Sequence, residues 1–227
     1  MGFNHGDACP ALRRPPFRRE HLRVHRATRL VAGGLGGYGL GVSEPEPSPI
    51  SLSGSLLLSH PSMLDPNFHR TVLFISAHDE REGSFGLILN RPAGRCVGDL
   101  LPNKPLGALA RVPVLLGGPV QQDQLIFASF RWHEETQRME CRHHLLIPEA
   151  QDAVVEEHTE VRAFIGYAGL SKGQLEGELA QNAWIISKAA SDLLAPDRAP
   201  AMWRQIVSAQ GPRLRLLAEA PEDPSAN

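Results

Sequence analysis

Short apolar runs separated by polar turns begin at about residue 53, and this pattern predicts a series of strands. The runs "GSLLLSHP", "TVLFISAHD" and "SFGLILNRP" are rich in leucine, β-branched or aromatic residues and are bounded by proline, glycine or polar residues, as buried strands are. "DEREG", which joins the second run to the third, predicts a hairpin loop. "PVLLGGPV", "QLIFASFRWH" and "CRHHLLIP" predict further strands, the first of which runs into a glycine bend.

Helical patterns are concentrated in the second half of the chain. "VGDLLP" predicts a short helical turn, and "EAQDAVVEE" and "SKGQLEGELAQ" predict helices before and after the strand "VRAFIGYAG". "AWIISKA" predicts a last strand, reached by a compact crossover, and "APAMWRQIVSAQG" predicts a last helix with Met202, Trp203 and Ile206 on one face. Because strands come early and helices late, the predicted fold class is α+β, a single domain around a mixed sheet.

The first fifty residues show no such periodicity. They contain seven arginines, a glycine-rich tract and "SEPEPSPI", so we expect residues 1–50 to be a disordered extension or to precede the true start of the protein, near Val42. A secretory signal peptide is the alternative, although glycine weakens its apolar part and no A-x-A-like site follows. The predicted domain is 51–227.

Composition and charge narrow the class of protein. Hydrophobic residues make up 42% of the chain and charged residues 21%, as in folded globular proteins. Residues 51–227 carry 23 − 7 = 16 basic and 25 − 4 = 21 acidic side chains, a formal charge of −5, which disfavours direct binding to DNA. Three cysteines without CxxC spacing favour a cytoplasmic location, and the longest weakly apolar tract, 30–42, is too short to span a membrane.

The glycine-containing stretch "GYAGLSKGQLEGE", residues 166–178, raises the possibility of a phosphate site. A P-loop requires GxxxxGK[ST] and a dinucleotide site requires GxGxxG, and the stretch matches neither pattern. It instead predicts a strand-to-helix turn in which Ser171 is the N-cap and Gln174 completes a capping box. An anion site on the N–H groups of that helix is the alternative. We expect no cofactor.

Histidine spacing does not indicate a metal site. His60 and His78 end different strands and would lie about 23 Å apart if those strands are antiparallel neighbours. His143 and His144 are adjacent on a predicted strand, so their side chains should point to opposite faces, which argues against both as ligands. No GxSxG elbow is present. We therefore predict no metal site, while a catalytic triad assembled in space stays open.

Four segments between Gly54 and Asn227 occur in a recognisable order. They are "GSLLLSHPSMLDPNFHRTVLFISAHDEREGSFGLILNRP", "LLGGPV", "GYAGLSKGQLEGELAQNAWI" and the terminal "PEDPSAN". Together they resemble the YqgE/AlgH family of bacterial proteins. The first fifty residues lie outside this resemblance.

The resemblance implies a single-domain cytosolic α+β protein whose sheet is bent into a pseudo-barrel. One branch of the family is described as regulators of alginate production, without a recognised DNA-binding motif. The chain departs from the family at Leu170, where tryptophan is usual, so any surface lined by that indole would be altered. The matching motif positions are Asp65, Phe68, His78, Gly86, Asn90, Arg91, Pro92, Gly117, Gly118, Pro119, Gly166, Tyr167, Gly169, Gly173, Gln174, Leu175, Glu176 and Trp184.

The function expected from these observations is non-enzymatic. We predict a regulatory or binding protein that affects transcription indirectly through an unidentified protein or small-molecule partner. The alternative is a hydrolase or transferase in which His78 is a general base near Asn90 and Arg91. Polar groups at strand ends also occur for structural reasons alone.

The predicted binding site is a groove built by "NRP", "GGP" and "GYAG". Arg91 would offer a planar donor fork to an acidic group, and Tyr167 would form an amphipathic wall. An internal Arg91–Glu176 ion pair is the structural alternative. The candidate binding residues are His78, Asn90, Arg91, Gly117, Gly118, Tyr167, Gln174 and Glu176.

Overall fold

The computed structural model describes residues 51–79, 81–195, 198–199 and 201–220. The chain divides into two units, Met1–Ile50 and Ser51–Asn227, and every described residue belongs to the second. The predictions made for residues 1–50 lie outside the described residues.

Nine described strands form one mixed sheet. Its order is β4-β5-β8-β3-β2-β1-β9, with β6 paired to β8 and β7 paired to β6. The β5–β8 ladder is parallel, whereas the other ladders between described strands are antiparallel. The strands are β1 Ser55–Ser59, β2 Val72–Asp79, β3 Gly83–Ile88, β4 Pro92–Cys96, β5 Pro113–Leu116, β6 Val120–His133, β7 Arg138–Leu145, β8 Thr159–Leu170 and β9 Trp184–Lys188.

Strand β8 joins the two halves of the sheet. Its first part lies between β5 and β6, and its last residues, 168–170, pair with β3. Gly166, with φ +70°, lies between these two parts. The sheet therefore bends into a pseudo-barrel that does not close, which confirms the predicted fold class. Phe74, Phe130 and Phe164 are buried in its largest hydrophobic cluster.

Five α-helices and one 3₁₀ helix are present in the described residues. The predicted helices are confirmed. Three elements were not predicted, namely β4, the 3₁₀ helix and α5. In β4, proline and glycine interrupt the hydrophobic pattern. No helix among the described residues is long and apolar enough to cross a membrane. The helices are α1 Val97–Leu100, the 3₁₀ helix Gly107–Arg111, α2 Ile147–Ala153, α3 Gln174–Ala180, α4 Met202–Ala209 and α5 Pro212–Glu219.

Helix α4 packs on the sheet through the face predicted for it. Met202 and Trp203 are buried and Ile206 is half-buried against the same cluster. The indole N–H of Trp203 donates a 2.9 Å hydrogen bond to the carbonyl oxygen of Ser59, which ties the helix to the end of β1.

The connection from β8 through α3 to β9 is a wide crossover rather than a compact one, because β9 pairs with β1 and three strands lie between β8 and β9. Leu175 of α3 packs into a second cluster with Trp184 and Leu170. Leu170 is 4% exposed, so the departure from the family at this position changes the core and not a surface.

The predicted N-cap of α3 is wrong by two residues. The helix begins at Gln174, and its N-cap is Gly173 in a left-handed conformation with φ 74°. The Ser171 N–H and hydroxyl both donate to Gln174 Oε1, at 3.0 and 2.9 Å. One of the two hydrogen bonds of the capping box therefore forms, from the Ser171 N–H to the Gln174 side chain. The Ser171 hydroxyl donates to the same side chain and does not cap the helix backbone.

Candidate functional site

The segments "NRP", "GGP" and "GYAG" meet through their backbones. The Leu116 N–H donates to the Arg91 carbonyl at 2.8 Å, and the Gly117 N–H donates to the Ile165 carbonyl at 2.9 Å. Gly117 and Gly118 are packed directly against residues 166–168. The predicted meeting of the three segments is thus present, but the glycines line a backbone contact instead of an open groove.

Asn90 holds the chain that enters β2. Its Oδ1 accepts a 2.9 Å hydrogen bond from the Val72 N–H, and its Nδ2 donates a 2.8 Å bond to the Arg70 carbonyl. Both ends of the side-chain amide are occupied by backbone groups. The geometry assigns Asn90 a positioning role in the loop before β2.

Arg91 points toward the same loop. Its Nη2 donates to Thr71 Oγ1 at 2.9 Å and to the His69 carbonyl at 3.1 Å. Burial lowers the pKa of the Arg91 guanidinium from its usual value, and the Asp65 carboxylate offsets part of that effect. The guanidinium fork therefore binds groups of this chain, and the Arg91–Glu176 ion pair suggested by the sequence is replaced by these contacts.

His78 lies beside Ser84 and Glu176 rather than beside Asn90 and Arg91. Its Nδ1 is 2.8 Å from Ser84 Oγ, and its Nε2 is 3.6 Å from Glu176 Oε1. The His78 side chain is 4% exposed, and that of Glu176 is 44% exposed. A Ser–His–Glu arrangement is thus present, with Ser84 as a member that sequence reasoning missed.

The candidate residues His78, Asn90 and Gln174 do not all lie at one place. His78 is the cross-strand neighbour of Ser84, and Asn90 follows Ser84 by six residues, about 20 Å in an extended chain. Gln174 contacts Ser171 and donates to Glu178 Oε1 at 2.8 Å. The side chains of His78 and Asn90 are therefore well separated.

Tyr167 takes part in a stack of three rings at the surface. Phe85 stacks on His143, with ring centroids 4.4 Å apart, and on Tyr167, with centroids 4.9 Å apart. All three side chains are partly exposed. A Cβ on Gly169 would lie 3.2 Å from Tyr167 Cε2, so this glycine leaves room for the tyrosine ring. We call Phe85, His143 and Tyr167 the aromatic stack.

His143 and His144 lie side by side, which contradicts the predicted opposite orientation. Leu145 pairs with Phe127 and His143 with Ala128, so His144 is an extra residue in β7, and its φ is +57°. A β-bulge of this kind re-aims a side chain. The two Nδ1 atoms are 2.7 Å apart, close enough for a hydrogen bond in which one ring donates and the other accepts.

Both imidazoles favour the neutral form. Burial, with a smaller effect of His144, lowers the pKa of His143 to about 4. Partial burial also lowers the pKa of His144, although part of this residue is exposed. At neutral pH each ring therefore keeps one nitrogen lone pair available.

The aromatic stack and the histidine pair were missed by the sequence patterns. Phe85 and His143 come from strands separated by more than fifty residues, and only the ladder register and the bulge bring them together. A cavity of about 660 Å³ opens elsewhere, and its lining contains none of the predicted site residues. Within the described residues, no group of three or more histidine, cysteine, aspartate or glutamate side chains could hold a metal ion.

Two relatives are similar in sequence to most of this chain. A UPF0301 protein from Rhodococcus opacus is 38% identical over 189 residues, which cover 79% of this chain and 92% of that protein. A UPF0301 protein from Chlorobium phaeobacteroides is 35% identical over 187 residues, which cover 77% of this chain and 95% of that protein.

Two solved structures have a similar fold. A Corynebacterium diphtheriae protein matches with a TM-score of 0.60 and 20% identity, over 74% of this chain and 92% of its own. The AlgH protein from Pseudomonas aeruginosa matches with a TM-score of 0.54 and 27% identity, over 79% of this chain and all of its own. The family model described as AlgH-like matches residues 56–215. The chain therefore belongs to the AlgH-like family.

Proposed function

We propose that the chain is a non-enzymatic regulatory or binding protein whose partner, a protein or a small molecule, docks on the aromatic stack. The observation that carries this proposal is the contact of Phe85, His143 and Tyr167 at a partly exposed surface. Aromatic side chains with a polar tip are enriched at binding surfaces because they supply large apolar area and a hydrogen-bonding group. The partner would present an apolar or planar group to the rings.

Four of the other predicted residues have structural contacts and do not line this surface. Asn90 and Arg91 hold the loop before β2, and Gly117 and Gly118 fix the backbone beside Tyr167. The formal charge of −5 on residues 51–227 disfavours contact with a DNA backbone. Any effect on transcription would then be indirect, through the partner, in the cytoplasm.

Affinity capture with full-length bait tests the docking surface. Tyr167→Ala removes a ring from the stack, whereas Tyr167→Phe removes only its hydroxyl. Ile186→Ala, at a 47% exposed position on β9, is a matched control for loss of exposed apolar area. We expect partners identified by quantitative mass spectrometry to be retained by the parent and Ile186→Ala and lost from Tyr167→Ala.

Two results would contradict the proposal. If a folded Tyr167→Ala variant retains every partner of the parent, the aromatic stack is not the docking surface. A salt-sensitive mobility shift of DNA by the purified protein would contradict an indirect effect on transcription.

A hydrolase is the second candidate function, and Ser84–His78–Glu176 is the observation that favours it. The alcohol, imidazole and carboxylate have the composition of a catalytic triad. Ser84 is only 9% exposed, so its hydroxyl is poorly placed to meet a substrate, and this candidate ranks second. A fluorophosphonate probe tests this candidate. If the probe labels the parent protein and Ser84→Ala abolishes the labelling, a hydrolase becomes the first candidate function.

A further inference from the structure

The β-bulge at His144 creates a pair of imidazole nitrogens that a regular strand would keep apart. In an unbulged strand, adjacent side chains point to opposite faces. Here His143 Nδ1 and His144 Nδ1 are 2.7 Å apart, and the two rings are inclined at 72° with centroids 4.9 Å apart. The two imidazoles therefore lie on the same side of the strand, where both can reach one ion.

This separation matches the bite of a chelated metal ion. Two nitrogens each about 2.0 Å from an ion are about 2.8 Å apart when the angle at the ion is 90°, and about 3.3 Å apart at the tetrahedral angle. The value of 2.7 Å between the Nδ1 atoms fits the right-angled geometry. Right-angled coordination by nitrogen and oxygen ligands is typical of Cu(II) and Ni(II).

Both side chains are also accessible to a metal ion, and each ring has a nitrogen lone pair with which to bind it. His144 is exposed and His143 is partly exposed, so hydrated ions can reach them. Both rings lie against Phe85, with centroids 4.4 Å away for His143 and 5.0 Å away for His144. The more exposed His144 ring can adjust about χ2, a broad torsion, to aim its lone pair at an ion. Neutral imidazole is the form that binds metals.

We propose that His143 and His144 form a bidentate site for a divalent transition-metal ion of the Cu(II) or Ni(II) type, with water in the remaining positions. In the metal-free pair, one Nδ1–H donates to the other Nδ1. Binding moves that proton to Nε2 of the same ring through solvent, so both Nδ1 lone pairs face the ion and neither imidazole changes charge. With two protein ligands, the ion is exchangeable rather than permanently held.

The metal site shares His143 with the aromatic stack, but it can be tested without the proposed partner. A metal titration requires no partner, and the Tyr167→Ala variant that tests docking keeps both imidazoles. Loss of partner capture with intact metal binding, or the reverse, would separate the failure of one proposal from that of the other.

The experiment uses the full-length protein, treated with chelator and dialysed, and Cu(II) buffered by glycine as the probe. Bound copper is measured by equilibrium dialysis, and its ligands by electron paramagnetic resonance. His143→Gln and His144→Gln each remove one ligand, and His133→Gln is the matched control because His133 lies on β6 and contacts Glu140 at 2.6 Å. Difference measurements against the parent remove the contribution of histidines elsewhere in the chain.

We expect the parent and His133→Gln to bind one more copper ion than either test variant, with hyperfine structure from two imidazole nitrogens. Each test variant should bind that ion roughly 100-fold more weakly, because a chelate loses the high effective concentration of its second ligand. Equal binding and equal spectra in all four proteins would overturn the proposal. Loss in only one of the test variants would also overturn it, since both rings must bind.

An unfolded variant would also lose the copper site, so the folding of each variant is checked. Thermal midpoints of the variants are compared with that of the parent in the presence of chelator. If a variant does not fold, the parent alone is titrated with Cu(II) and followed by imidazole nuclear magnetic resonance, in which the paramagnetic ion broadens the resonances of its ligands. Broadening of both the His143 and His144 resonances supports the pair, and unbroadened resonances in excess Cu(II) overturn it.

Discussion

A Cβ atom on Gly117 would lie 2.3 Å from the carbonyl oxygen of Gly166, because the two backbone segments pass in direct contact. The contact is reciprocal, since a Cβ on Gly166 would lie 2.6 Å from the carbonyl oxygen of Gly118. These atoms are backbone and cannot move aside as a flexible side chain would. The junction at which β8 changes partners therefore requires glycine on both sides.

Gly117→Ala should destabilise the protein by about 2–3 kcal/mol or more, because the added methyl group overlaps backbone atoms. Gly177→Ala is the matched control: a Cβ there meets nothing within 4 Å, and alanine is the better helix former within α3. Denaturant melts of both variants give the free energies of unfolding. A Gly117→Ala midpoint equal to that of Gly177→Ala would show that the junction is not tight.

Arg91→Ala should lower the free energy of unfolding by about 1–3 kcal/mol, because it removes hydrogen bonds to Thr71 and to the His69 carbonyl. Arg91→Lys should restore less than half of the loss, since an ammonium group cannot reproduce the planar fork. Arg95→Ala, at an exposed position of β4, is the control. Unchanged stability together with loss of a partner would instead support Arg91 as a binding residue.

Sequence periodicity was sufficient for the strands whose apolar residues are consecutive. β1 and the apolar part of β2 are buried along their length, so "SLLLS" and "VLFIS" identify them directly. β4 is mostly exposed, and its sequence "PAGRC" carries no apolar alternation. Its pairing with β5 is a tertiary effect that local propensity cannot report.

The candidate sites depend on register, which a single sequence does not specify. His143 and His144 share one side of the strand only because of the bulge at His144, whereas adjacent residues of a regular strand point to opposite faces. An internal ion pair of Glu176 with Arg91 was the structural alternative to the groove, whereas the Glu176 carboxylate lies 3.6 Å from His78 Nε2. The segment-level prediction of which motifs meet was therefore better than the prediction of which side chains meet.

Gly173→Ala should cost about 1–2 kcal/mol, because Gly173 has φ 74° and a left-handed conformation penalises any residue with a Cβ. Gly173→Asn should lose less, since asparagine tolerates this conformation better. Ser171→Ala should cost less than about 0.5 kcal/mol, because the Gln174 side chain still accepts the residue 171 N–H and alanine leaves the Gly173 cap intact. Denaturant melts compare the three variants. A Ser171→Ala loss as large as that of Gly173→Ala would restore Ser171 as the cap.

Cys141 should be nearly unreactive toward iodoacetamide in the folded protein. Burial, with a smaller effect of the Glu140 carboxylate, raises the pKa of the Cys141 thiol to about 12. The thiolate is the reactive form, and a thiol with this pKa is roughly 1,000-fold less ionised at pH 8 than an ordinary one of pKa about 8.5. Labelling at Cys141 should therefore rise about tenfold for each pH unit between pH 8 and 10, and mass spectrometry of tryptic peptides measures it site by site.

The denatured protein is the control for this measurement, because unfolding returns Cys141 to water and to an ordinary pKa. Labelling in denaturant at pH 8 should be fast, and its dependence on pH should flatten above about pH 9 as the thiol becomes fully ionised. In the folded protein the rate should keep rising over that range. If folded and denatured Cys141 react at the same rate at pH 8, the packing of β7 on the barrel core does not protect the thiol.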